Sequence, residues 1–185
     1  MRSRPKAGPH VTLTAVQASS ILRSSTADLH ERVDSRVRRF LENGVEGCRD
    51  FLRVSRDIVV PWEQELRRFS WPEELRVKER LCKSDWLEED VGPFQAGRVS
   101  AHAANAAEAW GALYVFEGST LGAVVMATLV EDATFRYLQG YGADTAAMWS
   151  SMKVILDDAI RSEEDLAGCV TGARRVFAQF EKELG

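Results

Sequence analysis

The sequence predicts an all-α single domain of seven or eight helices, and three observations carry that prediction. The 185 residues are 45% hydrophobic and 28% charged, near the globular average and long enough for one sizeable core. Apolar residues recur at three- and four-residue steps through most of the chain, the spacing of one face of a helix. No segment sustains the period-two alternation, bounded by hairpin turns, that a strand would show.

Residues 1–18 read as a flexible leader, broken by Pro5, Gly8 and Pro9, ahead of a helical domain over residues 19–185. Leu22, Leu29, His30, Val33, Val37, Phe40 and Leu41 form the stripe of a first helix that begins near Ser20 and stops at Asn43-Gly44. Phe51, Ser55, Ile58, Val59, Trp62, Leu66 and Phe69 continue the period over Val45–Phe69, with Pro61 expected to kink or divide that helix. Ser70-Trp71-Pro72-Glu73-Glu74 offers a fresh start, with acidic residues in the first turn, for a helix to about Lys83. Ser84 or Asp85 then caps a short turn through Glu89, and Gly92, Pro93 and Gly97 mark a loop. From Ala101 the chain is rich in helix formers to Glu117 and stays apolar to Leu129. A helical stretch near Glu131–Leu138 ends in Gly140-Tyr141-Gly142. Asp144 or Thr145 can cap a helix through Ile160, and Ser162 with Asp165 opens the last one, to Leu184.

Composition narrows the function. Lys and Arg number 24 against 28 Asp and Glu, a net charge of −4 with no basic tract, so nucleic acid is a poor partner. The longest apolar run, around Leu121–Val130, is interrupted by Gly and Thr and falls short of the roughly 20 residues of a membrane helix. The N-terminus lacks the apolar segment of a secretory signal. Cys48, Cys82 and Cys169 are widely spaced and form no CxxC pair, which points to a reducing cytoplasm. There is no GxSxG, P-loop, GxGxxG or HExxH, and no Glu-x-x-His pair for a di-iron bundle.

Three features could carry chemistry. Of the three histidines, His10 lies in the leader and His102 follows a loop, whereas His30 sits within the apolar stripe of its helix. It is either a core histidine bonded to a backbone carbonyl or a neutral imidazole that ligates a metal. Read as lacking a neighbouring His, Cys or carboxylate ligand at helical spacing, it makes no zinc site, but it could be one axial ligand of a haem. Gly118 and Gly122 fall in one turn of a helix, where each costs about 1 kcal/mol relative to Ala. Either another helix packs closely on them or a flat ligand lies against the bare backbone. Ser119 and Thr120 add hydroxyls that could bond freed carbonyls or order water. Arg23, seven residues before His30, could share its helix face and reach a haem propionate if His30 held the iron; alone, it reads as a solvated arginine. Tyr114, one turn before Gly118, is a core aromatic or a donor to a carboxylate. The five tryptophans read as core or subunit-contact residues.

Four blocks together resemble the bacterial heme oxygenases, including the type that accompanies bacteriophytochromes. Leu22-Arg23-x-x-Thr26-x-x-x-His30-Glu31 is similar to that family's proximal helix, and Gly111 to Gly122 (GALYVFEGSTLG) to its distal helix. Arg80-Leu81-x-Lys83-Ser84-x-x-Leu87-x-x-Asp90 and Gly140-Tyr141-Gly142-x-x-Thr145-x-x-x-Trp149 resemble further blocks in the same order. The likeness spans about Leu22 to Leu156. It implies stacked helices that hold haem, as substrate and cofactor, and an oxidation by O₂ and electrons to biliverdin, CO and Fe²⁺. An external donor such as a ferredoxin or flavoprotein reductase would supply the electrons, and a bacteriophytochrome could receive the biliverdin. By the same resemblance His30 would ligate the iron, while Gly118 and Gly122 would bring the distal backbone close and leave room for O₂. Water near Ser119 would supply protons, and Arg23, Tyr114 and Thr26 would line the haem, the first two anchoring propionates. Two departures stand out. Ala123-Val124 replaces a third glycine and a polar residue, and Ser150 lies where many relatives carry a base. The competing readings are a non-catalytic haem-binding or regulatory protein on this fold, and a cysteine hydrolase on the related thiaminase-like fold.

Overall fold

A computed structural model describes residues 17–95, 97, 99–130 and 134–185. The leader therefore lies almost wholly outside the described residues, as do Glu131 to Ala133 of the expected helix there. Among the described residues there are eight α-helices: α1 (Ala18–Ser25), α2 (Ala27–Leu41), α3 (Gly44–Leu66), α4 (Val77–Arg80), α5 (Lys83–Val91), α6 (Ala106–Ala127), α7 (Thr145–Ala159) and α8 (Glu163–Glu183). Short 3-10 turns occupy Glu73–Leu75, Tyr137–Gln139 and Gly142–Asp144. No strand occurs among the described residues.

Helices α6 and α8 form the central pair, and glycines let them approach. A methyl at Gly111 would lie 1.8 Å from the Cys169 carbonyl oxygen, and one at Gly172 only 2.0 Å from that of Glu108. Neither position has space for a side chain. Asn105 caps α6 by accepting from the Glu108 amide at 2.9 Å, and Ser162 caps α8 by accepting from the Asp165 amide at 3.0 Å, as its sequence signature indicated. α3 packs its Phe51, Ile58, Trp62 and Leu66 face into the same core.

Several boundaries differ from the sequence expectation. The first stripe is two helices, because the chain breaks at Thr26, whose hydroxyl donates to the Leu22 carbonyl at 2.7 Å. Pro61 neither divides nor ends α3, which runs on to Leu66 with Val60 and Trp62 buried beside it. The expected helix from Ser70 to Lys83 is a 3-10 turn followed by one turn of α4, separated at Arg76 by a left-handed backbone (φ 51°). α6 begins at Ala106 rather than Ala101. At 22 residues, α6 is also long and apolar enough to span a membrane, yet 61% of its apolar window is buried inside the domain. It is the core helix.

Outer helices are pinned to this centre by polar contacts. The Ser19 amide and hydroxyl donate to the Asp157 carboxylate at 2.7 and 3.0 Å, tying α1 to α7. Arg32 on α2 pairs with Glu181 on α8 at 2.8 Å, and Arg174 on α8 returns to Asp28 at 3.0 Å. Thus α2 and α6 both rest on α8.

Candidate functional site

The C-terminal half of α6 presents an uncovered face. Gly118, Leu121, Gly122 and Val125 lie on it at three- and four-residue steps, and Leu129 follows just past the helix end. Leu121, Val125 and Leu129 are 38%, 57% and 62% exposed. A methyl at Gly122 would meet nothing within 4 Å, and one at Gly118 only the Trp149 ring edge, at 3.6 Å. Of the two explanations for these glycines, close helix packing fails. The tight helix contact is at Gly111 and Gly172 instead.

His30 is not a core residue. Its side chain is 60% exposed, and it bonds to no backbone carbonyl: Nδ1 lies 3.1 Å from the Asp34 carboxylate, one turn on. Its ring meets Phe177 of α8 edge-on at 5.6 Å. The bond to Asp34 raises the imidazole's pKa, against partial burial and the Arg23 charge. With Nδ1 donating to Asp34, Nε2 keeps its lone pair for a ligand.

The break at Thr26 places Arg23 on α1, not on the helix of His30. Its charge nevertheless acts on His30 and also on Tyr114 of α6, whose phenol burial pushes upward and Arg23 draws back. Tyr114 is buried, with its hydroxyl 3.5 Å from the Ser19 carbonyl oxygen and its ring 5.1 Å from that of Trp149. Thr26 is buried, its hydroxyl spent on the α1–α2 junction. Ser119 donates to the Phe116 carbonyl at 2.8 Å and lies 3.2 Å from the Tyr137 hydroxyl, so its hydroxyl is already held by the protein.

No family model matches the chain. A heme oxygenase from Xanthomonas campestris pv. campestris (strain 8004) is 27% identical over 160 residues, covering 83% of this chain and 87% of that protein. The crystal structure of the NO- and CO-bound heme oxygenase from Neisseria meningitidis superposes with a TM-score of 0.76, at 19% identity over 91% of this chain and 90% of its own. The chain is similar to bacterial heme oxygenases in sequence and in fold. Its all-helical architecture is the heme oxygenase fold.

Within that fold, the contacts of three side chains escaped sequence reasoning. Asp34 was signalled by its four-residue offset from His30. Trp149, on α7, joins Tyr114 to Gly118 and so lines the uncovered face. Lys153, one turn beyond it, places Nζ 5.6 Å from the Trp149 ring centroid. It supplies a cation on the same helix as Ser150, where a base was missing. Among the described residues neither Lys153 nor Arg23 pairs with a carboxylate. Ala123, replacing a glycine, is fully buried and faces away from the open side. The cysteines carry no nucleophile: burial pushes the thiols of Cys48 and Cys82 up to about 11 and that of Cys169 to about 12.

Proposed function

We propose that the chain is a heme oxygenase that takes haem as substrate and, with O₂ and electrons, yields biliverdin, CO and Fe²⁺. The observation that carries this reading is the bare, apolar face of α6 at Gly118–Gly122, on a fold whose α2 offers an exposed histidine held by one nitrogen. The fit to haem is physical. A flat, largely apolar macrocycle would cover Leu121 and Val125, and the absent side chains at Gly118 and Gly122 would admit it against the helix backbone. The two carboxylates of haem would be met by the cations Arg23 and Lys153 and by the Tyr114 hydroxyl.

Each residue then has a definite task. His30 would offer Nε2 to the iron of bound haem, and Asp34 would hold the ring's tautomer and orientation through Nδ1. Gly118 and Gly122 leave α6 bare of side chains, which would leave room for a small ligand beside the bound macrocycle. Trp149 supports Gly118 from the side. Ser119, fixed by Phe116 and Tyr137, offers a remaining lone pair toward ordered water. Thr26 closes the α1–α2 junction that sets Arg23 relative to His30. Haem supplies the redox chemistry when bound, and the electrons come from a separate donor, a ferredoxin or flavoprotein reductase. The setting is the reducing cytoplasm, and a bacteriophytochrome is a fitting receiver of the product.

The test is to mix purified protein with hemin, record the Soret band, then add ascorbate in air. A sharp Soret band that decays into broad red absorption is the expected result. A stable band that never decays would replace this reading with haem binding alone. Absence of any Soret change would refute the haem site, and unchanged spectra in His30→Ala would refute the role of His30.

A further inference from the structure

Directly before the bare face, α6 carries a carboxylate that the site does not use. Glu117 is buried, and so are both of its cationic partners, Arg80 and Lys83. Arg80 contacts one carboxylate oxygen; Lys83 Nζ and the Tyr141 hydroxyl each reach the other at 2.7 Å. Burial opposes ionisation of Glu117, but the Lys83 and Arg80 charges and the bonds from Lys83 and Tyr141 outweigh it and hold its pKa below the usual carboxylate range. A buried cluster of this kind is a poor way to gain stability, since desolvation offsets much of the attraction. Its directional bonds are what distinguish it from an apolar plug.

Those bonds converge on the site. Arg80 Nη1 donates to the Met148 carbonyl at 3.1 Å and Nη2 to the Ser151 hydroxyl at 2.8 Å. The guanidinium thus ties Glu117 of α6 to the two sides of Trp149 on α7. Trp149 is the side chain that meets Gly118 and Tyr114. Arg80 is itself fixed, Nε donating to the Leu75 carbonyl at 2.6 Å, and Lys83 donates to the Arg80 carbonyl at 2.9 Å.

We propose that Arg80, Glu117, Lys83 and Tyr141 form a positioning unit that sets the Gly118–Gly122 backbone and the Trp149 ring relative to each other, and so fixes how haem is seated. This inference rests on the haem-oxidising reading above. None of the four residues needs to touch substrate. Their effect passes through the spacing of α6 and α7, where a displacement of about 1 Å suffices to cost catalysis heavily.

Glu117→Gln tests it, read first in ligand-free protein by amide hydrogen exchange. The expected result is exchange at least roughly tenfold faster at residues 118–125 and 148–153, with α8 unchanged. With hemin, the variant should keep an axial His30 spectrum and affinity within about threefold, while turnover falls on the order of 100-fold and the biliverdin isomer ratio shifts. Equal loosening of α8, or a folded variant with unchanged turnover and isomer ratio, would overturn the proposal. Should Glu117→Gln not fold, Tyr141→Phe removes a single bond to the carboxylate and is judged by the same readouts. A wild-type protein that binds hemin without turnover would sink the proposed reaction, whereas the ligand-free exchange pattern judges the positioning unit separately.

Discussion

Gly122 separates the functional from the structural explanation of the α6 glycines in one substitution. It lies inside a helix with ordinary helical dihedrals, and a methyl there would meet no atom within 4 Å. Gly122→Ala therefore introduces no clash and recovers the helix propensity that glycine forfeits, about 1 kcal/mol. That is roughly a fivefold gain in the folding equilibrium, and for a chain of this length a rise in Tm of about 2–4 °C. The assay is a thermal melt of the ligand-free protein by circular dichroism, with Gly111→Ala as its contrast. There the methyl would sit 1.8 Å from a carbonyl oxygen, so α6 and α8 must part and Tm should fall by an amount that reflects about 1–3 kcal/mol or more. On the haem side the signs reverse: Gly122→Ala should weaken hemin binding or turnover, because the added methyl occupies the face the macrocycle would cover. A lowered Tm for Gly122→Ala would show that the glycine serves the fold. A raised Tm with hemin affinity and turnover both unchanged would show that this face is not the haem wall.

Further expectations concern single groups. His30→Ala should keep its helical signal and lose less than about 0.5 kcal/mol of stability, because the side chain is largely exposed, while the axial Soret signature disappears. Asp34→Asn should lower hemin affinity about 10–100-fold in titration, since the ring loses its orienting acceptor; an affinity equal to wild type would refute that link. Arg23→Ala and Lys153→Ala should each weaken hemin binding and flatten its dependence on ionic strength, and the double variant more than either; a salt dependence identical to wild type would remove both from carboxylate recognition. Acid should act through Glu117. Its folded pKa is depressed, so its contribution to stability is present above the unfolded carboxylate value near 4.5 and is lost as pH falls through the lower, folded one. Denaturant melts should therefore show a loss of stability below about pH 4.5 that is smaller in Glu117→Gln.

What could be read from the sequence was local, and what could not was set by contacts between distant segments. The stripes of α2 and α3, the Ser162 cap of α8 and the bare turn at Gly118–Gly122 each express one helical repeat, and all appear in the structure. The break at Thr26 does not show in periodicity, because α1 and α2 carry stripes that continue each other across it. Pro61 does not divide α3, because propensity counts the lost backbone bond and omits the packing of Val60 and Trp62, which keeps the helix continuous. Arg76 takes a left-handed backbone where neither glycine nor asparagine announces one. Glu117 is the instructive case. It stands in an unbroken apolar run from Gly111 to Phe116, and nothing within a helical turn of it carries positive charge. A lone carboxylate inside an apolar run is costly enough that it must find cations elsewhere in the chain, and the available clue was Arg80 and Lys83, spaced one turn apart in a segment with no other assigned task. The physical demand was therefore visible at Glu117, but its answer lay 34 and 37 residues away, where only the packed structure could supply it.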